Sequence, residues 1–519
     1  MKTAFTLACA LPVLWFAACG GSNDEVETFR NPAELRSERG ELRVPLRVAQ
    51  SQLVLAGRTV TTTVYNDSWV PPVLRVHPGD TLRIDLDNRS ASPTNEHFHG
   101  MNVAPGLNSD ATISDDVFVR VDPGRVANYK VNIPATHNAG MYWYHAHQHG
   151  QSERQVMGGL SGGMIVEGVL DPFPELRNVK ERVMLLKDIQ ITPLGRLPDD
   201  IDPSAPSHRM VNGQVNPQLI IAPGETQFLR LGNIGADLYY HLRLDGHVFY
   251  EIARDGNRRT EIVAADELLL PPGARSEVLI QGAAPGRYAL RALATDTGAA
   301  GDSYPEVTMA SFVSQGRPQT PIALPAAMPP VEDLRTLPVA RQRTITFIED
   351  TDNNTFFVDS GDGAKMFDMD RVDSVIQSGT VEEWTVLNAT PEWHVFHIHQ
   401  TDFQVTEIDG AAQPFTGHQD TVNVAFQADD ASPPGQVELL IDFRNPLIVG
   451  KFVYHRHILG HEDGGMMAVA QVVAPAGATA AARAAPAEPE GWAARWSSRI
   501  AQAAGTLWAS SFGGRSKQE

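Results

Sequence analysis

The same string of signals recurs three times along the chain, always in the same order. Gly79 is followed nine residues later by Asn88, Gly224 nine later by Asn233, and Gly379 nine later by Asn388. The apolar pairs Ile84/Leu86, Leu229/Leu231 and Trp384/Val386 hold the same offsets inside these stretches. Residues two apart point to one face of a β-strand, so each stretch predicts a strand with one face in a core. Downstream come the turns Pro123-Gly124, Pro272-Gly273 and Pro434-Gly435, then Gly140-Met141-Tyr142, Gly286-Arg287-Tyr288 and Gly450-Lys451-Phe452. A repeat of this length constrains the fold to one β unit used three times.

Short β-rich runs bounded by turn signals, with little 3.6-residue periodicity, predict an all-β chain of three antiparallel sandwiches. They are expected at residues 41–170, 178–316 and 340–474, with the Pro-rich stretch from Arg317 to Pro338 as the linker into the third. A length of 519 residues suits three domains of roughly 100–200 residues each. Before them, Lys2 and an apolar run from Ala4 to Ala18, broken by Pro12, predict a secretory signal over residues 1–19. The run is short for a spanning helix. Phe16-Ala17-Ala18-Cys19 resembles a bacterial lipobox, which implies lipidation of Cys19, with ordinary cleavage nearby as the alternative. Either way the expectation is export to the periplasm or cell envelope, with or without a lipid anchor. After Val473 comes an Ala-rich tail, 475–519, in which Trp492, Trp496, Ile500, Ala503 and Leu507 are spaced as one face of a helix. Such a helix lies on a membrane surface or packs back on the body.

Acidic residues outnumber basic ones 62 to 42, giving a formal charge of −20 that would repel a nucleic-acid backbone. Both cysteines, Cys9 and Cys19, fall within the predicted signal, so the body of the chain has no disulfide, thiolate ligand or thiol nucleophile.

Histidine supplies the chemistry instead. Chance predicts about 0.6 His-x-His pairs at this histidine content; the chain has five, His97/His99, His145/His147, His147/His149, His397/His399 and His455/His457. His97 and His397 each follow the repeat's asparagine by nine residues, and His145 and His455 each follow its glycine by five. The middle repeat has Leu242 and Arg291 there. In a strand, residues i and i+2 aim the same way, so four pairs could gather eight imidazoles if the first and third sandwiches face each other. Neutral imidazole suits copper, zinc, iron or nickel.

These residues resemble the multicopper oxidases in their three-domain, laccase-like form. His97-Phe98-His99-Gly100, Trp143-Tyr144-His145-Ala146-His147, His394-Val395-Phe396-His397-Ile398-His399 and His455-Arg456-His457-Ile458-Leu459-Gly460-His461, with Met466 beyond, match the four family motifs in order. The resemblance extends from about residue 41 to 474 and implies cupredoxin-like Greek-key sandwiches. It also implies that His97 and His397 bind a type 2 copper, and that His99, His145, His147, His399, His455 and His457 bind a type 3 pair, about three ions in all. At such a cluster the family reduces dioxygen to water. His394, His461 and axial Met466 would belong to the type 1 site.

One ligand departs from the pattern. The family has cysteine where this chain has Arg456. A guanidinium is cationic and has no lone pair to donate, so type 1 copper is expected to be absent and ordinary laccase turnover to be broken. Arg456 is expected to point away from the cluster, toward His394, His461 and Met466. There it pairs with a local carboxylate, binds an anionic substrate, or plugs an abandoned site. Glu462 and Asp110 are the candidate general acids, Glu462 where the family often keeps a proton-relaying carboxylate. His149 is a candidate supporting group behind the ligands. The reading is a copper-dependent oxidoreductase with dioxygen as acceptor and an unknown small reductant; a non-catalytic envelope copper-binding or buffering protein is the alternative, and an inactive structural relative a third. Only 13 methionines are scattered along the chain, so a dedicated cuprous oxidase is not favoured.

Overall fold

The structure, a computed structural model, describes residues 27–350, 355–429 and 431–475. The expected signal, the lipidated Cys19 and the tail helix lie outside these described residues. Among them, no helix is long and apolar enough to cross a membrane.

The fold is all-β, three cupredoxin-like sandwiches built on the repeated unit. In each, the strand between the repeat's glycine and asparagine sits inside a sheet: Thr81–Asn88, Thr226–Asn233 and Val381–Ala389. Each pairs in parallel with an earlier strand, Glu41–Leu55, Lys180–Ile189 or Val339–Asp350, and antiparallel with a later one, Val126–Asn132, Arg275–Gln281 or Gly435–Asp442. The sheets are therefore mixed rather than antiparallel throughout. The chain visits the facing sheet between the two parallel neighbours, as strand Val73–Val76 does in the first sandwich, and so returns in the same direction.

The repeated residues have the same physical task in all three copies. Gly79, Gly224 and Gly379 have φ of 93°, 76° and 90°, a left-handed turn that a side chain strains. The asparagines are fully buried, and each donates its amide to backbone carbonyls of the loop that follows and of a more distant segment: Asn88 to Ser92 and Val121, Asn233 to Leu238 and Leu270, Asn388 to Glu392 and Ala425. That amide stitches the strand end to the loop leading into the next repeat element. The inward alternation fills three separate cores, around Ile84, Leu231 and Trp384.

Two short helices meet where the first and third sandwiches join, Ser152–Gly158 and Leu459–Asp463. Asp463 accepts the backbone N–H groups of Gly150, Ser152 and Glu153 at 2.7, 3.2 and 3.0 Å, so a carboxylate of the third sandwich caps a helix of the first.

Between the first and second sandwiches, Lys187 is buried with no carboxylate partner among the described residues. Its ammonium lies 4.3 Å from the Trp69 ring and 3.4 Å from both oxygens of Ser161. Burial pushes its pKa down to about 7. An unfolded lysine keeps its proton to about pH 10.4, so folding releases one between these limits, and this site's penalty fades as pH rises. Lys187→Met is expected to raise stability by about 2 kcal/mol at pH 7, with the advantage shrinking toward pH 10, measured by urea unfolding at a series of pH values.

Candidate metal centre

The histidine pairs sit on matched strands. His97–His99 pairs antiparallel with Gly140–His145, placing His97 opposite His145; His394–Ile398 pairs antiparallel with Gly450–Arg456, placing His397 opposite His455. In the middle sandwich Leu242 faces Ala292, one position past Arg291. The strand alternation turns both imidazoles of each pair to one side, and the two sides meet at a seam. His97 stacks on His399 at 3.8 Å between ring centres, and His99 on His397 at 3.9 Å. All eight rings are buried. Their nitrogens form three groups, His97/His99/His397, His99/His145/His457 and His147/His399/His455, each with its atoms within 4.8 Å of one another.

The hydrogen bonds decide which nitrogen is free. Nδ1 of His97 lies 2.9 Å from Asp115 Oδ1, that of His145 3.0 Å from the Ala146 carbonyl, that of His397 2.8 Å from the Asp420 carbonyl, and that of His455 2.9 Å from the Arg456 carbonyl. The three carbonyl oxygens only accept, so Nδ1 of His145, His397 and His455 carries the hydrogen and each Nε2 a lone pair, and the ionised form of Asp115 sets His97 the same way. His99 is reversed, with Nε2 3.3 Å from Asp420 Oδ1. Nε2 of His97, His145 and His397, Nδ1 of His99 and both nitrogens of His457 have no hydrogen-bond partner among the described residues. His455 Nε2 lies 3.2 Å from His399 Nε2 and 3.4 Å from His147 Nε2.

Desolvation, with neighbouring imidazoles adding to it for each ring, holds all eight pKa values well below the ordinary 6.5. The rings are neutral. Buried, unprotonated nitrogens left without partners are costly, and a metal ion is the group that would satisfy them.

Besides Asp420, two further carboxylates stand behind the rings. Glu462, fully buried, has Oε2 3.1 Å from His455 Nδ1 and Oε1 3.4 Å from His147 Nδ1, and it accepts from Ser152 Oγ at 3.2 Å. Burial first, then the charge of Asp463, raises its pKa well above 4.5. Asp115 holds His97 through Oδ1, which also accepts the Phe98 N–H at 3.1 Å, and takes Gln400 Nε2 on Oδ2 at 2.6 Å. Burial lifts it to about 8.

Asp110, the other candidate acid, has different surroundings. That residue is exposed, bonded to Thr112 Oγ1 at 2.5 Å and Lys130 Nζ at 2.9 Å, and those bonds hold its carboxyl below the usual range. The loop instead turns Asp115 inward, through a bridge between Ile113 and Tyr129 that no local spacing announces. His149 is 4.8 Å from the Phe367 ring, outside the group of eight.

Arg456 points to the opposite side of its strand from His455 and is buried. Its Nη1 donates to Glu392 Oε1 at 2.6 Å, and Nη2 lies 3.4 Å from the Trp393 carbonyl. The same Glu392 oxygen is 3.0 Å from His461 Nδ1. His394 bonds the Trp393 carbonyl through Nδ1 and Thr390 Oγ1 through Nε2, and its ring is perpendicular to that of His461 at 6.4 Å. The Met466 carbonyl accepts the Arg456 N–H at 3.2 Å, and its side chain is in the core. Of the partners expected for Arg456, the carboxylate is therefore present, and it is Glu392.

Family models described as multicopper oxidase match residues 47–170, 186–316 and 336–476, most of the chain between them. The chain belongs to the multicopper oxidase family. Among its relatives, the Staphylococcus aureus multicopper oxidase mco is 24% identical over 427 residues, covering 79% of this chain and 84% of its own length. The Shigella dysenteriae cell division protein FtsP is 27% identical over 437 residues, 80% of this chain and 86% of its own length. Two solved multicopper oxidases share the fold. That of Campylobacter jejuni superimposes with a TM-score of 0.70 at 24% identity, over 86% of this chain and 95% of its own. McoA of Aquifex aeolicus gives 0.72 at 22%, over 86% and 99%. These relatives of the chain thus carry both an oxidase name and a cell-division name.

Proposed function

We propose that the protein is an exported copper oxidoreductase that reduces dioxygen at a trinuclear centre with electrons from a small reductant, and that it has no type 1 copper. The observation that carries this reading is the set of eight neutral, buried imidazoles whose free nitrogens converge across the seam. His97 and His397 would hold the type 2 ion, and His99, His145, His147, His399, His455 and His457 the type 3 pair. Copper bound there supplies the one-electron chemistry by which the family reduces dioxygen to water.

The chain's own residues supply orientation and protons. Asp115 and the carbonyls of Ala146, Asp420 and Arg456 fix the ring tautomers. Glu462, its pKa raised by burial, holds a proton beside His455 and His147 and is placed to deliver it toward the centre. The buried ion pair of Arg456 with Glu392 fills the position of the missing thiolate. That pair also favours a second reading, a copper-binding envelope protein without turnover, since the family's usual electron entry is closed.

Purified, copper-loaded protein is expected to contain about three copper ions per chain, to give an electron paramagnetic resonance spectrum without a blue-copper signal, and to consume oxygen with some phenolic, metal-ion or other reductant. Full copper with no oxygen uptake across a broad panel would select the second reading; protein that retains no copper would defeat both.

A further inference from the structure

The middle sandwich has no histidine pair, yet it pushes a turn against the centre. Gly273, at φ 87°, sits where a Cβ would lie 3.0 Å from His99 and 3.3 Å from His457. Two residues on, Arg275 opens strand Arg275–Gln281 with its side chain fully buried. Its guanidinium grips Asp420 of the third sandwich in a two-pronged bond, Nη1 to Oδ1 at 2.7 Å and Nη2 to Oδ2 at 2.6 Å. Nε reaches the Met141 carbonyl of the first sandwich at 3.2 Å, and Nη1 also bonds the Gly273 carbonyl at 3.0 Å. One side chain therefore touches all three sandwiches.

Asp420 is held from its backbone as well. Asp255 Oδ2 accepts from Thr421 Oγ1 at 2.8 Å and from the Thr421 N–H at 3.2 Å, while Asp255 Oδ1 accepts the Arg275 N–H at 2.8 Å. Asp420 in turn meets two of the imidazoles: its carbonyl accepts His397 Nδ1 at 2.8 Å, and its Oδ1 lies 3.3 Å from His99 Nε2. Gly100 must lack a side chain here, because a Cβ would overlap both the Arg275 guanidinium and the Asp420 carboxylate.

We infer that Arg275 is a positioning residue: through Asp420 it sets the tautomer of His99, presenting Nδ1 to the metal where its neighbours present Nε2, and it locks the orientation of His397. This inference rests on the trinuclear reading above. The chemistry is that of a carboxylate behind a metal-bound histidine, which fixes which ring nitrogen carries the hydrogen and strengthens the other as a ligand. A two-pronged guanidinium holds that carboxylate in one plane, which a lysine's single ammonium does not.

The test compares the parent protein with Arg275→Lys, Arg275→Met and Asp420→Asn. Asp420→Asn is nearly isosteric and keeps the test decisive should Arg275→Met fail to fold. Chelator competition is expected to show a loss of copper affinity of about 10- to 100-fold for at least one ion in Arg275→Met and Asp420→Asn, with altered type 2 signals in electron paramagnetic resonance and a smaller loss in Arg275→Lys. In metal-free protein labelled with ¹⁵N in its histidine rings, His99 is expected to carry its hydrogen on Nε2 in the parent and to lose that preference in Asp420→Asn. Folded variants that match the parent in affinity, spectrum and tautomer overturn the inference. A parent that binds no copper sinks the trinuclear reading alone, and the tautomer measurement still decides this one.

Discussion

Copper-loaded protein carrying Arg456→Cys is expected to turn blue. The substitution places a sulfur on the side of the strand facing Glu392, near His394 and His461, whose two rings stand perpendicular at 6.4 Å, with Met466 in the adjoining core. Two imidazoles, a thiolate and a weak thioether make up a blue-copper ligand set. The gain should appear as an intense visible band, a fourth copper and faster oxygen uptake with bulky phenols.

It carries a cost in stability. Glu392 loses the guanidinium that neutralises it, and stripping one member from a buried ion pair destabilises by about 3 kcal/mol or more. Burial already lifts the pKa of Glu392, so taking up a proton relieves part of the cost, and the deficit should shrink as pH falls. Adding Glu392→Gln should restore stability in urea unfolding. A doubly substituted protein that stays colourless with its other copper in place would show that His394 and His461 do not form a mononuclear site.

The second large effect is expected at Glu462. Glu462→Gln keeps the shape and the bond from Ser152 but removes the transferable proton, so oxygen turnover should fall by about 10²- to 10⁴-fold with copper content unchanged. In the parent, the rate should decline as pH rises past the elevated pKa of this carboxyl, because the donor must be protonated to act. The matching change Asp110→Asn, at an exposed carboxylate paired with Lys130, should leave the rate alone. Turnover by Glu462→Gln at the parent's rate, measured with an oxygen electrode, would remove Glu462 from the proton path.

What was legible in the sequence was whatever repeats at fixed spacing. The turn glycines, the asparagine that ends each repeated strand and the four His-x-His pairs each depend on geometry inside one strand or turn, so counting finds them. The two faces of strand Gly450–Arg456 were readable for the same reason, because His455 and Arg456 are neighbours and must point apart. Asp115, Glu392, Asp420 and Arg275 were not singled out. Each reaches its partner through an irregular loop or from another sandwich, as Arg275 does across 145 residues of chain to Asp420. An acidic residue in a loop looks the same in sequence whether it faces water, as Asp110 does, or an imidazole five residues on.

The imidazoles that stack across the seam, His99 on His397 and His97 on His399, come from near opposite ends of the folded chain, about 300 residues apart. A clip that fastens so long a loop removes a great deal of freedom from the unfolded chain. Ions seated there would act as rivets, and neither outer lobe could unravel without surrendering them. Under the trinuclear reading, capture of the metal and toughness of the molecule become a single event, and a chain starved of copper would be idle and fragile for one and the same reason.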